Sequence, residues 1–348
     1  MPDASSPVAE TAVQSRTINL ALQGGGAHGA FTWGVLHRLM SDRRIRIDGL
    51  SGTSAGAMNA VVMADGFIKG RRQGAIAAID EFWRRVSRAG FSQQMMSLWT
   101  SHTQGWNIDN TPPYAVFDMV TRLFSPYELN PFDVNPLRDI ISDMVDFAAL
   151  RSHDEIKLFV TATNVKTCKP KVFRTSEMTA KALLAPACVP LLFKAVEIEG
   201  EHYWDGGYMG NPSIYPLIHE SKTSDVVIVQ INPLKRPDVP TKARDILNRI
   251  TELSFNSSLV REMRGVATLT SLIDSGRLAA DQYSRVHFHM IDGHEELPSL
   301  GVSSKFNTDI GFLEHLHDLG FAAAETWLDR NFDKIGVSSS LDVFEAFI

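Results

Sequence analysis

The chain has 348 residues, of which 44% are hydrophobic and 21% are charged, and its formal net charge is −6. These values lie close to the averages for soluble globular proteins, so they exclude a disordered, collagen-like or disulfide-scaffold protein. The mildly acidic balance and the lack of a basic stripe argue against a nucleic-acid partner.

Three features of the sequence bear on the cellular compartment. The N-terminus is polar, contains acidic residues and has no apolar run of signal-peptide length, so we expect a disordered tail over residues 1–16. No stretch approaches the ~18 apolar residues that span a membrane. Cys168 and Cys188 are too few for a disulfide framework. These features favour a cytoplasmic location and leave peripheral contact with a membrane open.

The first predicted unit is a strand, a glycine-rich loop and a helix. An apolar run at 18–22 leads into a glycine-rich loop at 24–29. Apolar residues then recur at helical spacing from Ala30 to Leu39.

A second unit of the same kind follows at once. It has a short strand at 45–47, a loop at 48–51, and the sequence Gly-Thr-Ser-Ala-Gly at 52–56, which opens a helix ending near Met63. Repetition of strand, turn and helix at this interval predicts an α/β layer fold with a largely parallel central sheet.

The rest of the chain continues the pattern and then becomes helical. We expect one core over 17–235 and a mainly helical C-terminal portion over 236–348 packed on the same domain. The further predicted elements are strands at 156–163, 225–231 and 284–291, a hairpin at 194–204, a proline-rich loop at 232–242, and helices at 178–185, 243–275 and 308–330.

Residues 52–56 match the pattern Gly-x-Ser-x-Gly of a nucleophile elbow. In such an elbow a serine on a strained turn between strand and helix exposes its hydroxyl, and small neighbours such as Gly52 and Gly56 let the chain pass closely. The predicted strand and helix on either side supply this context. Ser54 is therefore the candidate nucleophile.

The glycine loop is the second candidate element. Consecutive glycines at Gly24, Gly25 and Gly26 can turn several backbone N–H groups to one side and bind a phosphate or a tetrahedral oxyanion. The loop also satisfies Gly-x-Gly-x-x-Gly, and Asp48 follows at about the distance of a ribose-binding acid, so a dinucleotide-binding protein is an alternative.

A third element supplies a candidate base. Asp205 is followed by Gly206 and Gly207 and then by Asn211-Pro212. Together with the glycine loop and the elbow, this order resembles the patatin-like phospholipases, which are acyl hydrolases with a Ser–Asp dyad. The segment 185–193 also resembles one that the family carries shortly before its aspartate.

The resemblance extends from Ile18 to Pro233 and implies a three-layer α/β/α fold with a largely parallel central sheet. It also implies roles for individual residues. Ser54 would be the nucleophile, Asp205 its base, and Gly24, Gly25 and Gly26 the oxyanion hole. The family usually has Arg or Lys at the position of His28. His28 is then either a pH-dependent anion contact or a helix N-terminal residue without a catalytic task.

The implied reaction is hydrolysis of a lipid carboxylic ester through an acyl-enzyme, without a cofactor or metal. The substrate would be a lipid, met at a membrane or lipid-aggregate surface. Transfer of the acyl group to another acceptor, or depolymerisation of a polyester such as a hydroxyalkanoate, would use the same dyad and stays an alternative.

Histidines offer two weaker hypotheses. His219, His294 or His315 could complete a Ser–Asp–His triad, although no local pattern favours any of them. His287, His289, Asp292 and His294 resemble a cluster of metal ligands, but their spacing is more typical of a half-buried strand.

Two apolar clusters lie between the elbow and the next predicted strand, at 91–99 and 114–124. Core packing is the simpler interpretation. The alternative is that they contact lipid, in which case loss of Trp99 or Phe117 should lower activity on vesicles and spare a soluble ester. The C-terminal third carries no motif that indicates a function.

Overall fold

A computed structural model of the protein describes residues 15–89, 106–108, 111–236, 238–278, 285–294 and 296–348. Its centre is an eight-stranded mixed sheet with the order β5-β6-β3-β2-β1-β7-β8, in which β4 also pairs with β3. The strands are β1 (Arg16–Leu22), β2 (Ile45–Gly52), β3 (Lys157–Asn164), β4 (Pro170–Arg174), β5 (Val196–Ile198), β6 (Glu201–Asp205), β7 (Asp225–Gln230) and β8 (His287–Asp292).

Strands β3, β2, β1, β7 and β8 are parallel, whereas β4 and β6 run antiparallel to β3 and β5 runs antiparallel to β6. The α-helices are α1 (Gly29–Ser41), α2 (Ala55–Ala89), α3 (Pro112–Leu123), α4 (Pro126–Leu129), α5 (Pro136–Met144), α6 (Phe147–Arg151), α7 (Ala180–Leu184), α8 (Tyr215–Glu220), α9 (Ala243–Asp274), α10 (Glu296–Ser299), α11 (Ile310–Asn331) and α12 (Val343–Phe347).

The two faces of the sheet bury separate apolar clusters. On one face, Leu20 and Leu22 of β1 pack with α1, α2 and α11. On the other face, Ala21 of β1 and Val226 of β7 pack with α8, α9 and α12. Because successive residues of a strand point to opposite faces, β1 and β7 are buried on both sides, as expected of strands in a covered parallel sheet. The three-layer α/β/α architecture is confirmed.

The C-terminal portion is continuous with this core. Its strand β8 extends the sheet beside β7, with His287 opposite Asp225. Its long helix α11 packs on α1, where the rings of His317 and Trp33 lie 4.3 Å apart. The C-terminal residues therefore extend the sheet and pack on the helix that follows the glycine loop.

The structure differs from the predicted elements in several places. The loop expected at 48–51 is wrong, since β2 continues to Gly52; Gly49 inside the strand leaves space for the side chains of Asn19 and Ser221. Helix α2 continues beyond Met63 to Ala89, with a break at Gly70 and Arg71. Strand β4 was not predicted.

Several expectations lie outside the described residues. They are the tail over 1–14, the apolar cluster at 91–99 with Trp99, and the first residue of the strand expected at 284–291. Among the described helices, none combines the length and the apolar character that crossing a membrane requires.

Candidate active site

Ser54 lies on a sharp turn between β2 and α2. The strand ends at Gly52 and the helix begins at Ala55. Ser54 has a φ of 53°, in the left-handed region that a residue with a Cβ rarely adopts. Gly56 lies so close to β1 that a Cβ on it would be 2.2 Å from the carbonyl oxygen of Leu22. The turn is strained and stands between a strand and a helix, which is the geometry that a nucleophile elbow requires.

The glycine loop packs directly against this elbow. A Cβ on Gly24 would lie 2.6 Å from the Cβ of Ser54, so only glycine allows this approach. Gly26 has a φ of 60° and could not carry a Cβ either, because it would meet the carbonyl oxygen of Lys305 at 2.4 Å. The loop is therefore held between Ser54 on one side and a C-terminal residue on the other.

Asp205 lies beside Ser54 at the end of β6, in the antiparallel part of the sheet. It ends β6, opposite Ala162 of β3, and is 2% exposed. Its Oδ1 accepts a hydrogen bond from the backbone N–H of Gly207 at 2.7 Å, and the side chain of Ser54 lies near enough to the carboxylate to lower its pKa. A Cβ on Gly206 would meet the carbonyl oxygen of Thr161 at 1.9 Å, so the Asp-Gly-Gly sequence fits tightly against β3.

Burial raises the pKa of Asp205 to about 6, even though the Gly207 N–H, the Ser54 hydroxyl and the charge of Lys305 each lower it. Desolvation disfavours the charged carboxylate, and the favourable interactions with these three partners offset only part of this desolvation penalty. At neutral pH the group is ionised, and it is a stronger base than a solvated aspartate. Ser54 and Asp205 thus place a hydroxyl beside a buried carboxylate whose pKa is raised toward neutrality, which is the property that a general base needs.

The backbone donors of the glycine loop differ in their partners. The N–H of Gly24 is occupied by Oδ1 of Asn211 at 2.7 Å. For the N–H groups of Gly25 and Gly26, the described part of the chain supplies no acceptor. These two amides, next to Ser54, are the donors that remain available to an oxyanion.

His28 is buried within the protein. It is 3% exposed, and its Nε2 lies 2.7 Å from the hydroxyl of Ser304, which itself donates to the carbonyl oxygen of Gly301. Nε2 is therefore the protonated nitrogen. Burial, with the positive charges of Lys305 and Arg236, holds the pKa of His28 well below its usual range. The imidazole is neutral at neutral pH, which favours the packing role over the anion contact.

Four residues that the sequence analysis gave no role organise the loop. Oε1 of Gln23 accepts from the backbone N–H of Ile231 at 3.0 Å and of Asn232 at 2.9 Å, and Nδ2 of Asn232 donates to the carbonyl oxygen of Gly24 at 2.7 Å. Asn211 holds the other side of Gly24, and Lys305 donates to Oδ1 of Asn232 at 2.7 Å. Of these, only Asn211 had a signal, since it stands in the Asn-Pro sequence after Asp-Gly-Gly.

The histidine hypotheses find no support in the described residues. There, no histidine hydrogen-bonds to Ser54 or Asp205: His294 pairs with Asp292 at 3.0 Å, His315 pairs with Glu296, and His219 is exposed. His289 is fully buried between Asp225 and Ser340, at 3.1 and 2.8 Å, so it belongs to a polar network within the core rather than to a metal cluster.

Asp48 does not fit the dinucleotide alternative. A ribose-binding acid stands at the carboxyl end of its strand, beside the glycine loop. Asp48 lies within β2, four residues before the strand ends, and its Oδ2 accepts from the backbone N–H of Lys222 at 2.5 Å. The glycine loop packs against Ser54 instead.

Fold and site together define an α/β protein with a strained serine elbow, a buried carboxylate and a glycine loop meeting at one end of a mixed sheet. A sequence model described as Patatin-like phospholipase matches residues 20–218, which is more than half of the chain. The chain belongs to the patatin-like phospholipase family. Membership in this family supports a lipid acyl hydrolase activity in general terms.

Two further comparisons add little on activity. No curated protein sequence matches the chain. Among solved structures, it is similar to VipD from Legionella pneumophila, with 15% sequence identity and a TM-score of 0.36 over 96% of this chain and 83% of the VipD chain. A similarity at this level carries no argument on function.

Proposed function

We propose that the protein hydrolyses carboxylic esters of lipids through an acyl-enzyme on Ser54. The observation that carries the proposal is the contact between the Ser54 hydroxyl on its strained turn and the buried carboxylate of Asp205, whose pKa is raised to about 6. A hydroxyl becomes nucleophilic when a nearby base accepts its proton, and a base with a pKa near the working pH does so efficiently.

The proposed reaction has two halves. Ser54 Oγ forms a bond to the ester carbonyl carbon, its proton passes to Asp205, and the carbonyl π electrons move to the oxygen, which the Gly25 and Gly26 amides receive. The ester C–O bond then breaks and the proton on Asp205 leaves with the alcohol. Water repeats the sequence on the acyl-enzyme, giving its proton to Asp205, which returns it to Ser54 as the fatty acid departs.

Serine-directed labelling and ester hydrolysis test the nucleophile. We expect the wild-type protein to be labelled by a fluorophosphonate and to hydrolyse both phospholipid and short-chain ester. In Ser54→Ala, labelling should disappear and hydrolysis should fall by about 10³-fold or more, as is typical for loss of a catalytic nucleophile.

Ser338→Ala is the matched control, because Ser338 is exposed and far along the chain in the C-terminal portion. It should retain wild-type labelling and hydrolysis. Persistent labelling in Ser54→Ala would contradict the proposal, as would an unlabelled wild-type protein without esterase activity. An acyl-enzyme that turns over only when an alcohol acceptor is added would identify acyl transfer instead.

We also propose that the exposed side of α3 contacts the lipid surface. Val116, Met119 and Leu123 of this helix are 57, 55 and 68% exposed. On the same helix, the ring of Phe117 lies 6.0 Å from that of Phe306, the residue next to Lys305. Apolar side chains at this exposure are costly in water and gain free energy on contact with acyl chains. The helix is thereby connected to the site where the ester would react.

A further inference from the structure

Lys305 lies on the short 3₁₀ helix Ser303–Phe306 and contacts the glycine loop, directly at Gly26 and through Asn232 at Gly24. Its carbonyl oxygen and Cβ lie against Gly26, at 2.4 and 3.3 Å from the position of a Cβ there. Its Nζ donates to Oδ1 of Asn232 at 2.7 Å, and Asn232 in turn donates to the carbonyl oxygen of Gly24 at 2.7 Å. The ammonium group is therefore fixed beside the loop that faces Ser54.

The ammonium group has donors to spare. Lysine offers three N–H donors, and within the described residues Oδ1 of Asn232 is the one acceptor that Nζ meets. No described carboxylate lies within ion-pair distance, because the neighbouring Glu252 is held by Arg236 at 2.6 Å and by Arg249 at 3.0 Å. The positive charge beside the loop is thus left without a direct counter-ion.

An unpaired charge in a partly buried position costs free energy, and such costs are typical of functional sites. His28 does not share the task, since it is neutral at neutral pH and its Nε2 is taken by Ser304. Lys305 is the group that gives the glycine loop a positive environment.

We propose that Lys305 is a positioning residue of the active site, which braces the glycine loop through Asn232 and stabilises the negative charge that develops on the acyl oxygen when Ser54 attacks. This inference rests on the proposed function. During the attack, negative charge moves from the Asp205 carboxylate to the oxyanion. A cation lowers the barrier only if it interacts more strongly with the oxyanion than with the Asp205 carboxylate. Lys305 is bound to the loop through Asn232 and lies beyond ion-pair distance from Asp205, and the proposal requires that it lie closer to the oxyanion than to that carboxylate.

The charged groups around Lys305 give the proposal a pH signature. Burial lowers the pKa of Lys305 to about 8. The negative charges of Glu252 and Asp205 oppose this shift, and the positive charge of Arg236 adds to it. His28 faces the same space but carries no charge at neutral pH. As pH rises through about 8, Lys305 loses its proton and its contribution. As pH falls through about 6, Asp205 gains a proton and is lost as a base. Activity should therefore be bell-shaped between these two values.

The test compares Lys305→Met and Lys305→Arg with the wild type from pH 5 to 10, by kcat and KM on a soluble short-chain ester and by the rate of fluorophosphonate labelling. In Lys305→Met at pH 7, kcat and the labelling rate should fall about 10- to 100-fold, which is less than the loss of a direct oxyanion donor. KM should change by less than about threefold, because ground-state binding does not use this charge.

Arginine stays protonated throughout this range. Lys305→Arg should therefore keep most of the activity and move the alkaline limb of the profile upward by about one pH unit or more. A residue that only packed against the loop would not move this limb. Lys334→Met, which removes an exposed charge elsewhere in the C-terminal portion, is the control and should behave like the wild type.

Two results would overturn the inference while the proposed function stands: wild-type kcat and labelling in a folded Lys305→Met, or an alkaline limb that Lys305→Arg leaves in place. If Lys305→Met does not fold, the Lys305→Arg profile decides. Absence of labelling in the wild-type protein would instead refute the proposed function, and this inference with it.

Discussion

The active site is assembled from two regions that contribute in different ways. Residues 20–218, which the family model matches, supply the elbow, the glycine loop and Asp205. The C-terminal portion supplies Ser304, which fixes His28, and Lys305, which lies against Gly26 and binds Asn232. The first region holds the groups that would exchange protons and form bonds. The second holds Ser304 and Lys305, which contact His28 and Gly26 and so support the loop from its other side.

This difference predicts the size of mutational effects. Changes to the reacting groups of the first region should remove activity, whereas changes to the supporting groups of the second should reduce it. Three substitutions follow, in descending order of expected effect: one of a reacting group, one at the junction of the two regions, and one on helix α3, which contacts the C-terminal portion.

The largest effect is expected for Asp205→Asn, which should separate activity from stability. Loss of the base should lower kcat on any ester by about 10³-fold or more. The free energy of unfolding should instead increase. Burial raises the pKa of Asp205 from 3.8 to about 6, so the ionised carboxylate destabilises the fold once the pH has risen through about 6. Asparagine is neutral and keeps an acceptor for the Gly207 N–H.

We therefore expect the melting temperature of Asp205→Asn to exceed that of the wild type at pH 8 and the difference to shrink toward pH 4, where the folded carboxyl is neutral. A shift of this size corresponds to at most about 3 kcal/mol. Circular-dichroism melts at the two pH values measure it. A variant that is less stable than the wild type at pH 8 would show that Asp205 is a structural carboxylate.

The two regions also differ in how far the sequence predicted them. The elbow, the glycine loop and the Asp-Gly-Gly turn make demands on the backbone, such as the φ of 60° at Gly26, and these demands select residue types that leave a pattern. Strands and long helices were predicted for the same reason, because burial imposes a period on the sequence.

The position of Lys305 requires no unusual backbone conformation, so it leaves no pattern in the sequence. Lys305 acts through a side chain that meets Asn232, 73 residues away in sequence. A lysine in a Ser-Ser-Lys-Phe stretch is indistinguishable from a surface lysine until the chain is folded. The occupied N–H of Gly24 and the tautomer of His28 depend on Asn211 and Ser304 in the same way. Contacts between distant side chains define the part of the site that local patterns cannot predict.

A smaller effect is expected for Asn232→Leu, at the junction of the two regions. Asn232 receives the Lys305 ammonium on one atom and holds the Gly24 carbonyl with another. Leucine keeps the bulk and removes both hydrogen bonds, so kcat should fall about tenfold. Since both residues would act through one connection, the double variant with Lys305→Met should lose less than the product of the two single losses.

Kinetics of the two single variants and the double variant on a soluble ester measure this coupling. Losses that multiply independently would mean that Asn232 and Lys305 do not act together, and the C-terminal portion would then contribute to the site through Lys305 alone. Thr268→Ala, on the exposed side of α9, provides the control for a distant polar change.

The smallest effect, and one limited to a single kind of substrate, is expected for Phe117→Ala on α3. The ring of Phe117 packs on that of Phe306 at 6.0 Å, so α3 is connected through Phe306 to the segment that carries Lys305. If α3 contacts lipid, the loss of this ring should reduce hydrolysis of phospholipid vesicles severalfold and leave a soluble short-chain ester unchanged, since only the vesicle must be bound at a surface. Phe344→Ala, which removes a 54% exposed ring on α12, should change neither rate. Equal losses on both substrates would place Phe117 among the packing residues of the site, and the lipid surface would have to be sought on another face.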